Sequence, residues 1–175
     1  MDKTSRTEFR RTFLIEQLPE PLTRASEHMQ YFDNYISNTR MRLRTMRDPA
    51  TRSWTWILQQ REPADADSLS VIKIAEIFLN EREHAQFEIF EGSEIRKNRY
   101  FHEFDGCQYS FDVYLGPLWG LNTAFVEFES TEEMAAFIPP PFIFSEVTDD
   151  RFFFGDELVE MNFSNVQQHL ADQEA

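Results

Sequence analysis

Charged and apolar side chains alternate along "TEFRRTFLIE", residues 7–16. In an extended chain Glu8, Arg10 and Thr12 share one face, and Phe9, Phe13 and Ile15 the other. The same two-faced pattern recurs downstream. "MQYFDNYI" and "TRMRLRTM" read as strands joined by a hairpin near Ser37 and Asn38, the second with Arg40, Arg42 and Arg44 on one face and Met41 and Leu43 on the other. Asp48-Pro49 signals a turn before the aromatic strand "SWTWILQQR", and "EPADADS" reads as a polar loop. "SVIKIAEIFL" predicts a strand ended by Asn80, which stands at capping-box spacing from Glu83 and opens a helix over 81–91 that closes at Gly92. "IRKNRYFHEF" and "CQYSFDVYLG" flank Asp105-Gly106, a two-residue type I′ hairpin signal. In "TAFVEFE", Val126 and Phe128 take one face and Phe125, Glu127 and Glu129 the other. Ser130 with Glu133 opens a second capped helix, which must stop before Pro139. A short "FSEVT" strand, a helical piece over 156–163 and a frayed tail over 164–175 complete the chain, with 1–163 forming one domain.

Eight hairpin-connected strands with a few short helices define an α+β class dominated by an antiparallel sheet. The charged faces carry complementary signs: Glu8, Glu127 and Glu129 against Arg42, Arg44, Lys97 and Arg99. Two arrangements accommodate them. An open sheet would present an ordinary wet face; a closed barrel would turn the charges into a polar lumen and its phenylalanine faces outward, against helices. Three arginines at alternate positions repel one another unless carboxylates or a bound polyanion face them.

Composition narrows the partners. Lys and Arg number 17 against 31 Asp and Glu, a net charge of −14 that opposes a nucleic-acid duplex or an anionic membrane and leaves any anion site dependent on locally clustered cations. The single cysteine, Cys107, allows no intrachain disulfide and no multi-cysteine metal site, and together with an N-terminus free of an apolar run it places the expectation in the cytoplasm. Five glycines and no phosphate-loop motif exclude a glycine-rich nucleotide cradle. His28, His84, His102 and His169 lack ligand spacing, and Trp54, Trp56 and Trp119 read as core packed on the outside of a barrel.

Taken in order, the charged strands resemble the CYTH superfamily, the triphosphate tunnel metalloenzymes. Glu8 with Phe13-Leu14-Ile15 is similar to the family's opening strand, Arg42-Leu43-Arg44 to its R-x-R strand, and Lys97-Asn98-Arg99-Tyr100 to its K-x-R-Y strand. Asp112 to Gly116, Gly120-Leu121 through Phe128, and Glu146-Val147-Thr148 follow in the family's order. The resemblance implies an eight-stranded antiparallel β-barrel closed into a tunnel. It implies a small triphosphate clamped by Arg42, Arg44, Lys97 and Arg99. It further implies Mg2+ or Mn2+ held by Glu8, Glu127 and Glu129 with Asp112 nearby, and Glu8 and Glu127 as the catalytic pair. Thiamine triphosphatases, inorganic triphosphatases and class IV adenylate cyclases share the pattern, so the implied activities are triphosphate hydrolysis and ATP cyclisation, beside a tunnel that only binds a phosphorylated ligand or protein partner. Four positions depart from it: Arg10 and Phe125 stand where glutamates are expected, Thr12 and Gln59 where lysines are. Arg10 alone changes the local charge by two units at the metal end of the tunnel.

Overall fold

Alternation of charged and bulky apolar residues makes each strand two-faced, and the chain satisfies both faces by closing the sheet on itself. The computed structural model describes residues 3–90 and 92–175. Its strands are β1 (Lys3–Leu14), β2 (Met29–Ile36), β3 (Met41–Arg47), β4 (Trp54–Asp65), β5 (Ser68–Leu79), β6 (Gly92–Phe104), β7 (Cys107–Tyr114), β8 (Asn122–Phe128) and the short β9 (Ser145–Glu146). Its helices are α1 (Glu81–Phe87), α2 (Thr131–Ala136), α3 (Gly155–Leu158) and α4 (Phe163–Glu174).

The order β1-β8-β7-β6-β2-β3-β4-β5 returns to β1, and each neighbouring pair runs antiparallel, so the structure is a closed eight-stranded barrel with β9 appended. β1 makes the closure by changing partners along its length: Lys3 to Phe9 pair with β5, and Phe9 to Leu14 pair with β8. Closure removes the exposed edges that an open sheet would offer to other chains. The wet-face alternative is thereby excluded for the arginine strand, because Arg42 and Arg44 are buried inside.

Turn chemistry fixes the register. Asp105 and Gly106 adopt positive φ between Phe104 and Cys107, as a type I′ turn requires. Asn38 supplies the left-handed residue between β2 and β3. The "EPADADS" segment is not a loop: β4 continues to Asp65 and β5 begins at Ser68 across a two-residue turn, with a register shift at Pro63 to Asp65 that accommodates the proline. α1 carries the Asn80–Glu83 capping box and ends at Phe87; the Glu91 end expected for it lies outside the described residues. α2 starts at Ser130, whose Oγ accepts from Glu133 N, while the Glu133 carboxylate accepts from Glu129 N.

The apolar core sits outside the barrel in two clusters. One covers the outer faces of β6 to β8, where Tyr100, Tyr109, Phe111, Val113, Ala124 and Val126 pack under Leu18, Leu22, Phe137, Phe142 and Ile143. The other closes one end, where Ile95, Tyr114, Leu118 and Leu121 meet Leu158 of α3 and Val166 of α4. The tail over 164–175 is therefore not frayed, and the helical piece expected over 156–163 is instead the short α3 followed by α4. Asn162 and Asn165 form a reciprocal capping box, Val166 is 1% exposed, and the Phe163 ring lies 2.8 Å from where a Cβ on Gly120 would stand. Trp54 and Trp119 are 47% and 60% exposed, so they are not core, because the covering helices pack over other faces. Among the described residues, no helix is long and apolar enough to cross a membrane.

Removing residues 163–175 uncovers Leu118, Leu121 and Leu158. We expect the thermal midpoint to fall by several degrees in calorimetry, whereas loss of a frayed tail would leave it unchanged.

Candidate functional site

Period-two geometry aims one side chain in two from each strand into the lumen. β1 contributes Arg6, Glu8 and Arg10; β3, Arg42 and Arg44; β4, Gln59 and Arg61; β6, Lys97 and Arg99; and β8, Phe125 and Glu127, all lining one cavity of about 50 Å3. Cross-strand register places Asp33 of β2 opposite Arg44, and Asp112 of β7 opposite Arg99. Seven Lys and Arg side chains thus share the lumen with Glu8, Asp33, Asp112 and Glu127, and through Gln59 with Glu76, an excess of basic groups inside a chain of net charge −14.

Each of the two deep carboxylates holds a pair of cations. Asp33 is fully buried and accepts from Arg44 Nε and Nη2 at 2.7 Å each and from Arg42 Nη1 at 3.2 Å. Asp112 accepts from Arg99 Nε at 2.6 Å and Nη2 at 2.8 Å, and pairs with Lys97 Nζ at 2.8 Å. Burial would raise both carboxyls, but the facing guanidinium and ammonium groups overcome it and hold them far below the ordinary range. The side-on forks occupy one edge of Arg44 and of Arg99, leaving each Nη1 without a hydrogen-bond partner among the described residues. Such end-on donors suit phosphate oxygens.

Burial pushes Lys97 down to about 7, aided by Arg99 and Arg44 and opposed by Asp112 and Asp33. Arg61 is likewise lowered to about 9, by burial and by the neighbouring Arg42 and Arg10. Its Nε is buried without a hydrogen-bond partner among the described residues. Basic groups whose charged form burial disfavours in this way gain from a nearby anion.

Glu8, 5% exposed, sits at the other end of the lumen among three arginines: Arg6 at 3.0 Å, Arg61 at 3.2 Å and Arg10 at 3.4 Å. Burial alone would raise its carboxyl, yet Arg10, Arg61 and Arg6 bring it down to about 2. The Arg10 guanidinium lies 4.3 Å from the Phe125 ring centroid, and that of Arg99 lies 4.6 Å from it. Phe125 therefore orients two cations by π contact without neutralising either.

The metal set does not come together. Glu127 is half-exposed, 3.9 Å from Arg6, and its carboxyl is raised by burial and by Glu8. Glu129 lies beyond the end of β8 and is exposed, because the chain turns there into α2. Both oxygens of Glu8 already face guanidinium groups, and among the described residues no three His, Cys, Asp or Glu side chains form a metal-sized cluster. At an effective dielectric of about 20, a divalent ion about 4 Å from the Arg10 guanidinium would be repelled by roughly 8 kcal/mol. The residues present do not fit a Mg2+ or Mn2+ site.

The four cations singled out from sequence, Arg42, Arg44, Lys97 and Arg99, all reach the lumen. Arg42 and Arg44 pair with Asp33 rather than with Glu8 or Glu127. Asp33 was hidden in the mixed string "MQYFDNYI", though its alternation with Tyr31 and Tyr35 was a usable signal; Tyr31 and Tyr35 accordingly lie against Arg44 and Arg42. Gln59, where the CYTH pattern has a lysine, accepts from Arg42 Nε at 2.6 Å and donates to Glu76, which so joins the polar network. Glu146 is structural and holds Arg11 through a two-point contact of 2.8 and 2.6 Å. Cys107 is a free thiol at the start of β7.

Replacing Asp33 with Asn leaves Arg42 and Arg44 buried without a counter-charge and is expected to cost about 3–5 kcal/mol in urea unfolding at pH 7. Glu8 gives a pH signature. Its folded value lies below its unfolded one, so its contribution of about 3 kcal/mol is complete above pH 4.5 and is lost as pH falls toward 2. Glu8→Gln should flatten that part of the stability curve.

No protein-family model matches the chain. In sequence it is 41% identical over 71 residues to the inorganic triphosphatase of Nitrosomonas europaea, an overlap of 38% of this chain and 47% of the relative, so the match spans about half of that protein's length. In structure it is similar to the crystal structure of the inorganic triphosphatase NE1496, with a TM-score of 0.58 and 25% identity over 87% of this chain and 93% of that one. A second crystal structure, of the hypothetical protein NE1496, gives a TM-score of 0.60 at 24% identity, over 89% and 99% of the two chains. The closed barrel and the order of its charged strands thus give the chain the fold of these triphosphatase structures and a likeness to the CYTH superfamily.

Proposed function

We propose that the lumen binds a small triphosphate, with inorganic triphosphate the foremost ligand and the triphosphate groups of thiamine or a nucleoside as the wider class. The observation that carries this reading is the excess of basic groups in a closed lumen, where Arg6, Arg10, Arg42, Arg44, Arg61, Lys97 and Arg99 outnumber Glu8, Asp33, Asp112, Glu127 and the adjoining Glu76. Burying such an excess is costly unless an anion meets it. The Nη1 donors of Arg44 and Arg99 supply direction, and Asp33 and Asp112 keep those guanidiniums aimed. The likeness to an inorganic triphosphatase supports the choice of ligand.

Hydrolysis of the anhydride by water is the second reading, favoured by the activity named for that relative. Phosphoryl transfer demands mainly positioning and neutralisation of oxygen charge, which guanidinium groups can provide. Nothing in the lumen favours ATP cyclisation over either.

Titration calorimetry with tripolyphosphate tests binding, and phosphate release tests hydrolysis. We expect saturable one-to-one binding, weakened at least tenfold by Arg44→Gln, which keeps the side chain polar but removes its charge and fork. No heat and no competition with any triphosphate would overturn the reading; binding without phosphate release would leave a binding module.

Lys97 yields a sign-specific expectation. Its folded value of about 7 leaves it mostly neutral at pH 8, and a bound polyanion favours the charged form. Binding at pH 8 should therefore take up a proton, seen as an enthalpy that varies with the ionisation heat of the buffer. Affinity should fall as pH rises above 7, and Lys97→Met should remove most of both effects.

A further inference from the structure

We infer that the tunnel takes its triphosphate as the metal-free anion, with the Arg10 guanidinium standing in for the divalent ion that would otherwise neutralise the phosphate chain. The inference rests on the triphosphate reading above and goes beyond it by naming the ionic form of the ligand.

The donor chemistry carries it. Mg2+ takes hard oxygen ligands in near-octahedral geometry, usually one or two carboxylates besides waters and phosphate oxygens. In this lumen the carboxylates are already engaged. Glu8 Oε1 accepts from Arg10 and Arg61 and its Oε2 from Arg6. Asp33 is taken by Arg42 and Arg44, and Asp112 by Arg99 and Lys97. Glu127 is half-exposed, faces Arg6, and stands directly across the β1–β8 ladder from Arg10. A hard cation entering here would have to displace guanidinium or ammonium groups from Glu8, Asp33 and Asp112, which leaves, among the described residues, only the half-exposed Glu127, beside Arg6 and Arg10, and Glu76.

Arg10 itself is built in rather than incidental. Its Nη1 pairs with Glu8, its Nε donates to Thr12 at 3.3 Å, and its guanidinium packs on Phe125. Two positions that the family fills with glutamates thus hold a cation and the aromatic ring that seats it. The pair converts an acidic, cation-accepting end of the tunnel into a basic, anion-accepting one. A magnesium chelate arrives with its charge reduced by two and with waters still on the metal, and so meets this basic end less well than the bare anion.

Calorimetry with tripolyphosphate in excess EDTA, and again with MgCl2 in place of EDTA, tests the inference on the intact chain. Binding should be tighter in EDTA, with apparent affinity at least tenfold weaker in MgCl2 because chelation withdraws the bare anion. Titration of Mn2+ alone should give no saturable heat. Arg10→Gln should weaken binding in EDTA about tenfold while circular dichroism shows the barrel intact. Arg10→Glu with Phe125→Glu should invert the preference, so that MgCl2 strengthens binding. Tighter binding in MgCl2 than in EDTA, saturable Mn2+ binding to the natural chain, or unchanged affinity in a folded Arg10→Gln would overturn the inference while leaving the triphosphate reading in place. Absence of binding in both media would instead remove that reading itself.

Discussion

Buried guanidinium groups need buried carboxylates, and the whole barrel is arranged around two such exchanges. Asp33 accepts three hydrogen bonds from Arg42 and Arg44, and Asp112 ties Arg99 and Lys97. These contacts span β2 to β3 and β6 to β7, adjacent pairs in the barrel, with β2 and β6 themselves neighbours. A slip of one residue between any of these strands would carry an arginine to the apolar exterior and leave its aspartate alone inside. The ion pairs specify register more than they add net stability, since replacing a buried pair by apolar residues is often neutral, whereas breaking one is severe.

A polar lumen forces the fold inside out. The side chains that would fill a small barrel in other proteins here point outward, so Phe13, Tyr100, Tyr109 and Phe111 must be covered from outside. The 15–28 connection, α2 and the proline segment before β9 perform that task on one flank, and α3 with α4 close one end. This fits so aromatic a chain having short helices that serve as covers: α1, α2 and α4 are opened by side-chain caps, and α3 and α4 each bury one apolar residue, Leu158 and Val166. Val166 and Leu158 anchor the last of these covers, and Gly120, at φ +112, lets the Phe163 ring lie directly against the backbone.

Much of this was legible because period two is a strong signal when both faces are extreme. Arg42 and Arg44, or Lys97 and Arg99, alternate with apolar or uncharged residues, and Asp105-Gly106 leaves little freedom for the turn it makes. What was not legible depended on pairs distant in sequence. Asp33 lies among aromatics, so its role emerges only when β3 is laid beside β2. Arg61 closes on Glu8 across 53 positions. Glu129 continues the alternation of β8 in sequence, yet its backbone N–H is taken by the Glu133 cap and the strand has already ended. The tail is opaque for the opposite reason: apart from two alanines, "SNVQQHLADQEA" is polar all round except for Val166 and Leu170, and two large apolar residues are weak evidence until the floor of the barrel supplies their partners.

The substitutions at the mouth of the lumen make physical sense only together. A lone glutamate-to-arginine change at position 10 would set a cation beside whatever metal the remaining acids held, and a lone glutamate-to-phenylalanine change at 125 would thin the ligand set and leave an apolar ring among charges. Jointly they form a seated guanidinium: the ring meets Arg10 at 4.3 Å and Arg99 at 4.6 Å, and Glu8 balances Arg10 on its other side. An aromatic face has a property that the glutamate lacked. It orients a cation yet leaves its full charge available, so the field that a carboxylate would have cancelled is preserved for a ligand. Against the CYTH pattern that the chain resembles, position 10 carries a positive charge together with the contacts that hold it: Glu8, Thr12 and the Phe125 ring.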